Sequence, residues 1–224
     1  MKTIVTYNFQ NPSNDVLSTV VILNTHRNSV AVNTHVNRKV FNFKIVHCDI
    51  RDRNMNPTKI WTDGSCIYNG TPQAKSGIGI FYQANSNENV SSAMPTGKQT
   101  NNRAELCAIL LALCTNPGHR PLIILTDSQY SIKCITEYAD KWSRQEWKTS
   151  TGKSVEWVSI IKCILTLMSL RQLKGGYTKF EFTKGHSTDS GNIAADRLAR
   201  TGATSGKISN TIMFLEQRCN IPFS

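Results

Sequence analysis

The sequence predicts an α/β domain with a mixed sheet. Three observations carry this reading. Strand-like stretches dominate from Lys59 to Gln83, an amphipathic helical pattern runs over Asn101–Cys114, and a short apolar run, Leu122–Leu125, is followed by a second helical pattern. Antiparallel strands followed by α-β-α units are the signature of helices packed on a sheet of mixed direction.

In chain order, Ser18–Leu23, Ser29–Val36 and Lys39–His47 alternate as strands and are joined by Asn, Thr and Arg turns. They read as a small antiparallel element of three strands. Arg51 to Pro57 reads as a linker, so residues 1–57 are expected to form a β-rich extension. Lys59–Ile67 and Ser76–Gln83 are the first strands of the main domain, and Glu88–Met94 a third. Leu106, Ile109, Leu110 and Leu113 form an apolar stripe on the first helix. Leu122–Leu125, opened by Pro121, reads as a buried strand. Ser128 is a suitable N-cap for a helix to Tyr138. Val155–Leu173 is expected to be a longer helix, Lys179–Thr183 a strand, and Gly191–Thr201 a last helix stopped by Gly202. The domain is expected over 58–204, followed by a C-terminal tail, 205–224.

The 224 residues carry a net charge of +11. That field favours a polyanionic partner, nucleic acid before an anionic membrane. No apolar stretch approaches the roughly 18 residues of a membrane-spanning helix, and no membrane partner is expected. The seven cysteines are odd in number and contain no Cys-x-x-Cys pair, which argues against a zinc site or a disulfide framework. They read as small buried hydrophobes in a reducing intracellular compartment, cytoplasm or nucleus. The N-terminus lacks an apolar signal core. It is acid-poor but short of Arg, so a mitochondrial destination stays an alternative.

In so basic a chain the acids stand out. Asp63 follows Ile60-Trp61-Thr62, and strand residues continue on both sides, so an Asp-Gly turn there would cut the strand short. A carboxylate inside a buried strand needs a partner, and a cation is the obvious one. Glu105 lies in the first turns of its helix. Asp127 ends the buried strand, where open α/β sheets place their ligand sites. Asp196 lies in the last helix, where the bland alternative is an i,i+4 partner for Arg200. All four positions can face one end of the sheet. Gathered there they would repel and raise one another's pKa, and Mg²⁺ would relieve the repulsion while accepting phosphate oxygens. The residues alone therefore point to a metal-dependent nuclease or phosphoryl-transfer site.

Six ordered blocks then carry a resemblance. They are Thr62-Asp63-Gly64-Ser65-Cys66; Gly77-Ile78-Gly79; Gln99-Thr100-Asn101-Asn102-Arg103-Ala104-Glu105; Thr126-Asp127-Ser128-Gln129-Tyr130; Trp147-Lys148-Thr149-Ser150-Thr151-Gly152-Lys153; and Gly185-His186-Ser187 with Gly191-Asn192 and Ala195-Asp196-Arg197-Leu198-Ala199. From about Lys59 to Ala203 the chain resembles a type 1 ribonuclease H. The resemblance implies an RNase H-like fold, a five-stranded mixed sheet flanked by helices. It implies an endonuclease that cuts the RNA strand of RNA:DNA hybrids with two Mg²⁺ ions, or Mn²⁺ in their place, leaving 3′-hydroxyl and 5′-phosphate ends. Asp63, Glu105, Asp127 and Asp196 would hold the metals, and His186 would assist proton transfer or product release. Asn69, Asn101 and Asn102 correspond to contacts with the RNA strand. For Asn101, helix capping is a second expected role. Lys98 and Thr100 correspond to a phosphate contact on the DNA strand, and Tyr130, Tyr138 and Ser150 lie along the DNA-strand channel. Trp142 and Trp147 read better as a small local core.

Two departures are visible. Ile193 and Ala194 stand where the family often has acids, and Trp157 stands near a position that many relatives fill with a phosphate-binding Asn. The first motivates an alternative, a hybrid-binding protein with weakened catalysis. The unmatched N-terminus, with seven basic and three acidic side chains in residues 1–57, motivates another: the nuclease domain of a retroelement or viral replication polyprotein, working beside a reverse transcriptase or other replication machinery. A monomer is expected.

Overall fold

A computed structural model describes residues 2–10, 16–24, 31–36, 39–44, 56–185, 188–219 and 222–223, with side chains for 56–185, 188–217 and 222–223. His186 and residues 51–55 of the expected linker lie outside the described residues. The chain divides into two compact units, Met1–Arg53 and Asn54–Ser224.

The first unit is a four-stranded antiparallel meander, β1 (Lys2–Gln10), β2 (Val16–Asn24), β3 (Ala31–Val36) and β4 (Lys39–Lys44). It has one strand more than the sequence pattern suggested. The missed strand is β1, which pairs with β2 from Lys2↔Asn24 to Gln10↔Val16. Its Thr, Asn and Gln residues weaken the hydrophobic alternation on which the sequence reading relied.

The second unit is built on a five-stranded mixed sheet in the order β7-β6-β5-β8-β9. The strands are β5 (Thr58–Ile67), β6 (Lys75–Phe81), β7 (Val90–Ala93), β8 (Leu122–Thr126) and β9 (Thr178–Phe182). β5, β6 and β7 form an antiparallel meander, whereas β8 runs parallel to β5 and β9 parallel to β8. Every residue of β8 is buried, as its continuous apolar run requires of a central strand. β5 runs straight through Asp63-Gly64, so the Asp-Gly pair is strand and not turn.

Helix α1 (Asn101–Thr115) packs on β5 and β6, with α4 (Val158–Leu173) behind it. It is buried all round from Leu106 to Leu113, whereas the sequence suggested a one-sided stripe. A helix enclosed on both sides has no solvent face to mark with polar residues. The second helix is longer than expected. α2 (Gln129–Lys133), a π-helical turn (Cys134–Tyr138) and α3 (Ala139–Arg144) follow one another without a break. α4 starts three residues later than expected, because Trp157 before it adopts the left-handed conformation, φ 61°.

Helix α5 (Ser190–Ser205) lies on β5, β6 and β7. Gly202 does not stop it. The helix runs on to Ser205, and Gly206 supplies the left-handed cap. Gly202 is there for close packing: a Cβ would lie 2.3 Å from the Ser92 carbonyl oxygen. Gly202→Ala is therefore expected to lower stability by roughly 1–3 kcal/mol through overpacking, measurable as a reduced urea midpoint. An unchanged midpoint would remove this account of the glycine. The residues read as a tail form α6 (Asn210–Cys219), whose Ile212 is fully buried, and Phe223 beyond it is also fully buried. Among the described residues, no helix is long and apolar enough to cross a membrane. Cys66, Cys107, Cys114, Cys134 and Cys163 form no disulfide.

Candidate active site

Side chains on a strand alternate between its two faces. Asp63 pairs with Gly79 and Gly64 with Ile78, so successive residues of β5 serve opposite layers. Gly64 faces α1, and a Cβ there would lie 2.2 Å from the Glu105 backbone nitrogen. The missing side chain lets the first turns of α1 rest on the strand, which brings Glu105 beside Asp63. Thr100 fixes where α1 begins, its Oγ1 accepting from the Arg103 N–H at 3.2 Å. The N-cap is therefore Thr100, and the capping role expected of Asn101 falls to its neighbour.

Asp127 follows β8 directly, at the carboxyl end of the sheet. Carboxylate oxygens of Asp63, Glu105 and Asp127 lie within 4.8 Å of one another. Asp63 is 6% exposed, and the Gly64 N–H donates to its Oδ1 at 2.9 Å. Burial, then the charges of Asp127 and Asp196, push the Asp63 pKa up to about 7. Burial, then Asp63 and Asp127, hold the Glu105 carboxyl well above the usual range. Glu105 Oε2 is shielded from solvent without a hydrogen-bond partner.

Asp196 stands apart from this trio. Its Oδ1 accepts from Arg200 Nε at 2.8 Å, the i,i+4 pair that the spacing allowed, while its charge still reaches Asp63. Three carboxylates thus converge, and the fourth borders them while engaged with a cation of its own helix.

Sequence reasoning missed a support beneath Asp127. Thr183 Oγ1 donates to Asn192 Oδ1 at 2.9 Å, and Asn192 Nδ2 donates to Asp127 Oδ2 at 3.4 Å. Asn192 is 3% exposed. It orients Asp127 because its amide has both a donor and an acceptor to satisfy. The Gly191-Asn192 pair was the signal that could have revealed it.

The other expected site residues spread along the surface. Asn69 is exposed in the turn after β5, and Asn101 and Asn102 are exposed on the first turn of α1. Lys98 Nζ pairs with Glu156 Oε1 at 2.8 Å and lies 5.6 Å from the centre of the Trp157 ring. Ser150 is exposed in the hairpin closed by the Lys148–Ser154 bridge. Tyr138 is 39% exposed and stacks at a tilt on Trp142, 5.5 Å between centroids. Tyr130 instead packs against the core, and burial pushes its hydroxyl pKa up. Trp142 and Trp147 also pack there, as expected of a local core. Ile193 is 54% exposed.

A trio of hard oxygen donors, with one oxygen lacking a partner and two carboxyls held above their normal pKa, fits a divalent cation. The same constellation falls within a segment, residues 55–204, that matches the RNase H family profile. The chain belongs to the RNase H family. It is similar to the Ribonuclease H of Schizosaccharomyces pombe, 42% identical over 145 residues, 65% of this chain and 52% of that one. It is also similar to the Ribonuclease H of Cyanothece sp., 36% identical over 152 residues, 67% of this chain and 91% of that one. The chain spans about half the length of the S. pombe protein and of Mus musculus Ribonuclease H1. Among solved structures, the foamy viral protease-reverse transcriptase in complex with RNA/DNA hybrid superposes with a TM-score of 0.53. Identity is 25%, over 71% of this chain and 22% of that one. As an RNase H member, the chain has a five-stranded mixed sheet, with Asp63 on β5, Asp127 just past β8 and Glu105 on α1 beside them.

Proposed function

We propose that this chain is a metal-dependent endoribonuclease that hydrolyses the RNA strand of RNA:DNA hybrids. The observation that carries the reading is the convergence of Asp63, Glu105 and Asp127 within 4.8 Å, in a chain of the RNase H family with a net charge of +11. Asp63, Glu105 and Asp127, with Asp196 at their border, are the residues that would hold two Mg²⁺ ions, or Mn²⁺ in their place. When bound, such ions supply Lewis acidity to the scissile phosphate and lower the pKa of an attacking water.

The chain's own residues do the rest. Exposed Asn69, Asn101 and Asn102 present amides that both donate to and accept from a 2′-hydroxyl, the group that distinguishes RNA from DNA. Lys98 and Thr100 hold a phosphate of the DNA strand, and the Thr100 hydroxyl is held in place for it by the Arg103 N–H that its oxygen accepts. Tyr138 and Ser150 line the DNA side, with Tyr130 supporting them from the core. Asn192 holds the Asp127 carboxylate in place beside the other acids. Proton transfer at the leaving oxygen is assigned to His186, whose chain neighbour Gly185 lies against Asp127. In-line attack leaves 3′-hydroxyl and 5′-phosphate ends.

Cleavage is tested with a labelled RNA:DNA hybrid, double-stranded RNA and a duplex holding a single ribonucleotide, each with Mg²⁺. Cutting of the hybrid RNA alone is the expected outcome, and equal cutting of double-stranded RNA would refute the substrate assignment. Two other readings make different forecasts. A nuclease domain that works beside a reverse transcriptase, suggested by the likeness to the foamy viral structure, should cut hybrid poorly in isolation. A binder with weakened catalysis, suggested by exposed Ile193 in place of an acid, should retain hybrid without cutting it in Mg²⁺ or Mn²⁺.

A further inference from the structure

Arg103 lies between the Asn101-Asn102 pair and Glu105, yet it is 1% exposed. Its guanidinium is spent on backbone carbonyls. Nη1 donates to Lys98 O at 2.9 Å, and Nη2 donates to Thr96 O at 2.9 Å and to Phe223 O. Two of these carbonyls belong to the loop that carries Lys98 and Thr100. The third comes from 120 residues further along the chain.

Residues before Phe223 are themselves anchored at several points. Ala93 N–H donates to Lys207 O at 2.8 Å, and Ser209 N–H donates to Ser92 Oγ at 2.9 Å. Ile212 on α6 and the Phe223 ring are fully buried. Gly97 lies against the guanidinium, which a Cβ there would approach to 3.2 Å. A buried guanidinium that loses one acceptor must find another or draw in water, and either response releases its hold on Thr96 and Lys98.

We propose that the C-terminal residues Lys207, Ser209, Ile212 and Phe223 act together as a positioning element for the phosphate-binding loop 96–100, through the Phe223 carbonyl on Arg103. The inference rests on the reading of Lys98 and Thr100 as phosphate contacts. It predicts that the C-terminal segment controls hybrid affinity and leaves the chemical step alone, because Arg103 hydrogen-bonds to none of the converging carboxylates.

The test compares the full chain, a chain lacking residues 222–224, Lys98→Ala and the combination of the two. The shortened chain is expected to show a KM for hybrid raised about fivefold to tenfold, the loss of one charge-assisted contact, with kcat within about twofold. The slope of log affinity against log salt should fall by about one, the mark of one lost phosphate contact. Backbone amides of residues 96–100 should exchange faster. In the Lys98→Ala chain the same truncation should add almost nothing. An equal KM increase in both backgrounds, or an unchanged KM and salt slope beside a lowered Tm, would overturn the proposal. If the shortened chain does not fold, Arg103→Lys carries the same comparison, since its single ammonium cannot span three carbonyls. If the full chain cuts no hybrid, the functional reading fails, while amide exchange at Lys98–Thr100 still decides whether the C-terminus holds the loop.

Discussion

Asp127→Asn is expected to lower hybrid cleavage by about a thousandfold, a barrier increase of ~4 kcal/mol, with the fold intact. Asp127 ends the fully buried strand β8 and is one of three carboxylates within 4.8 Å of one another. An amide has the same shape, and its oxygen can still accept from Asn192 Nδ2. The substitution therefore removes charge and metal affinity without opening a cavity. Single-turnover cleavage of a labelled hybrid at saturating Mg²⁺ measures the effect, with the unfolding midpoint as control. Cleavage within about tenfold of wild type would mean that the converging acids are not the reaction centre.

Asp63→Asn separates stability from activity in the opposite sense. The folded-state pKa of Asp63 is raised from 3.8 to about 7 by burial and by the charges of Asp127 and Asp196. The folded protein thus keeps a proton that the unfolded chain gives up. The stability linked to that proton is complete below about pH 4 and is lost as pH rises through about 7. In EDTA the wild-type chain should lose stability between these limits, whereas the Asp63→Asn chain, which carries no charge at that position, should lose less and keep the part linked to Glu105, whose carboxyl burial also holds above its usual range. At pH 8 the variant is expected to be more stable by roughly 2–4 kcal/mol, or about 5–10 °C in Tm. Saturating Mg²⁺ should reverse the order, since a cation that binds the folded site stabilises the wild type preferentially. Thermal unfolding at pH 5 and pH 8, each with EDTA and with Mg²⁺, reads all four states. A wild-type midpoint in EDTA that does not fall with pH would contradict the burial and repulsion argued for Asp63.

Much of the candidate site was legible in the sequence because its logic is local. Asp63 interrupts a strand pattern that continues on both sides, and a buried carboxylate there demands a partner. Asp127 closes an apolar run short enough to be only a central strand. Glu105 and Asp196 sit on segments that the sequence already marks as helical. The N-terminal sheet was less legible, because the polar residues of β1 hide its alternation.

What the sequence determined by itself was the type and order of the main elements and the residues that compete for one end of the sheet. Hydrophobic period and turn chemistry act between neighbours a few positions apart. Only the tertiary structure decided that α1 is enclosed on both sides, that Gly202 is a packing contact inside α5, and that Asn192 supports Asp127. It also decided that Asp196 turns to Arg200 while three other acids gather, and that the Phe223 carbonyl meets Arg103. Each of these depends on which distant surface a residue meets, and a periodic pattern names the buried face without naming what buries it.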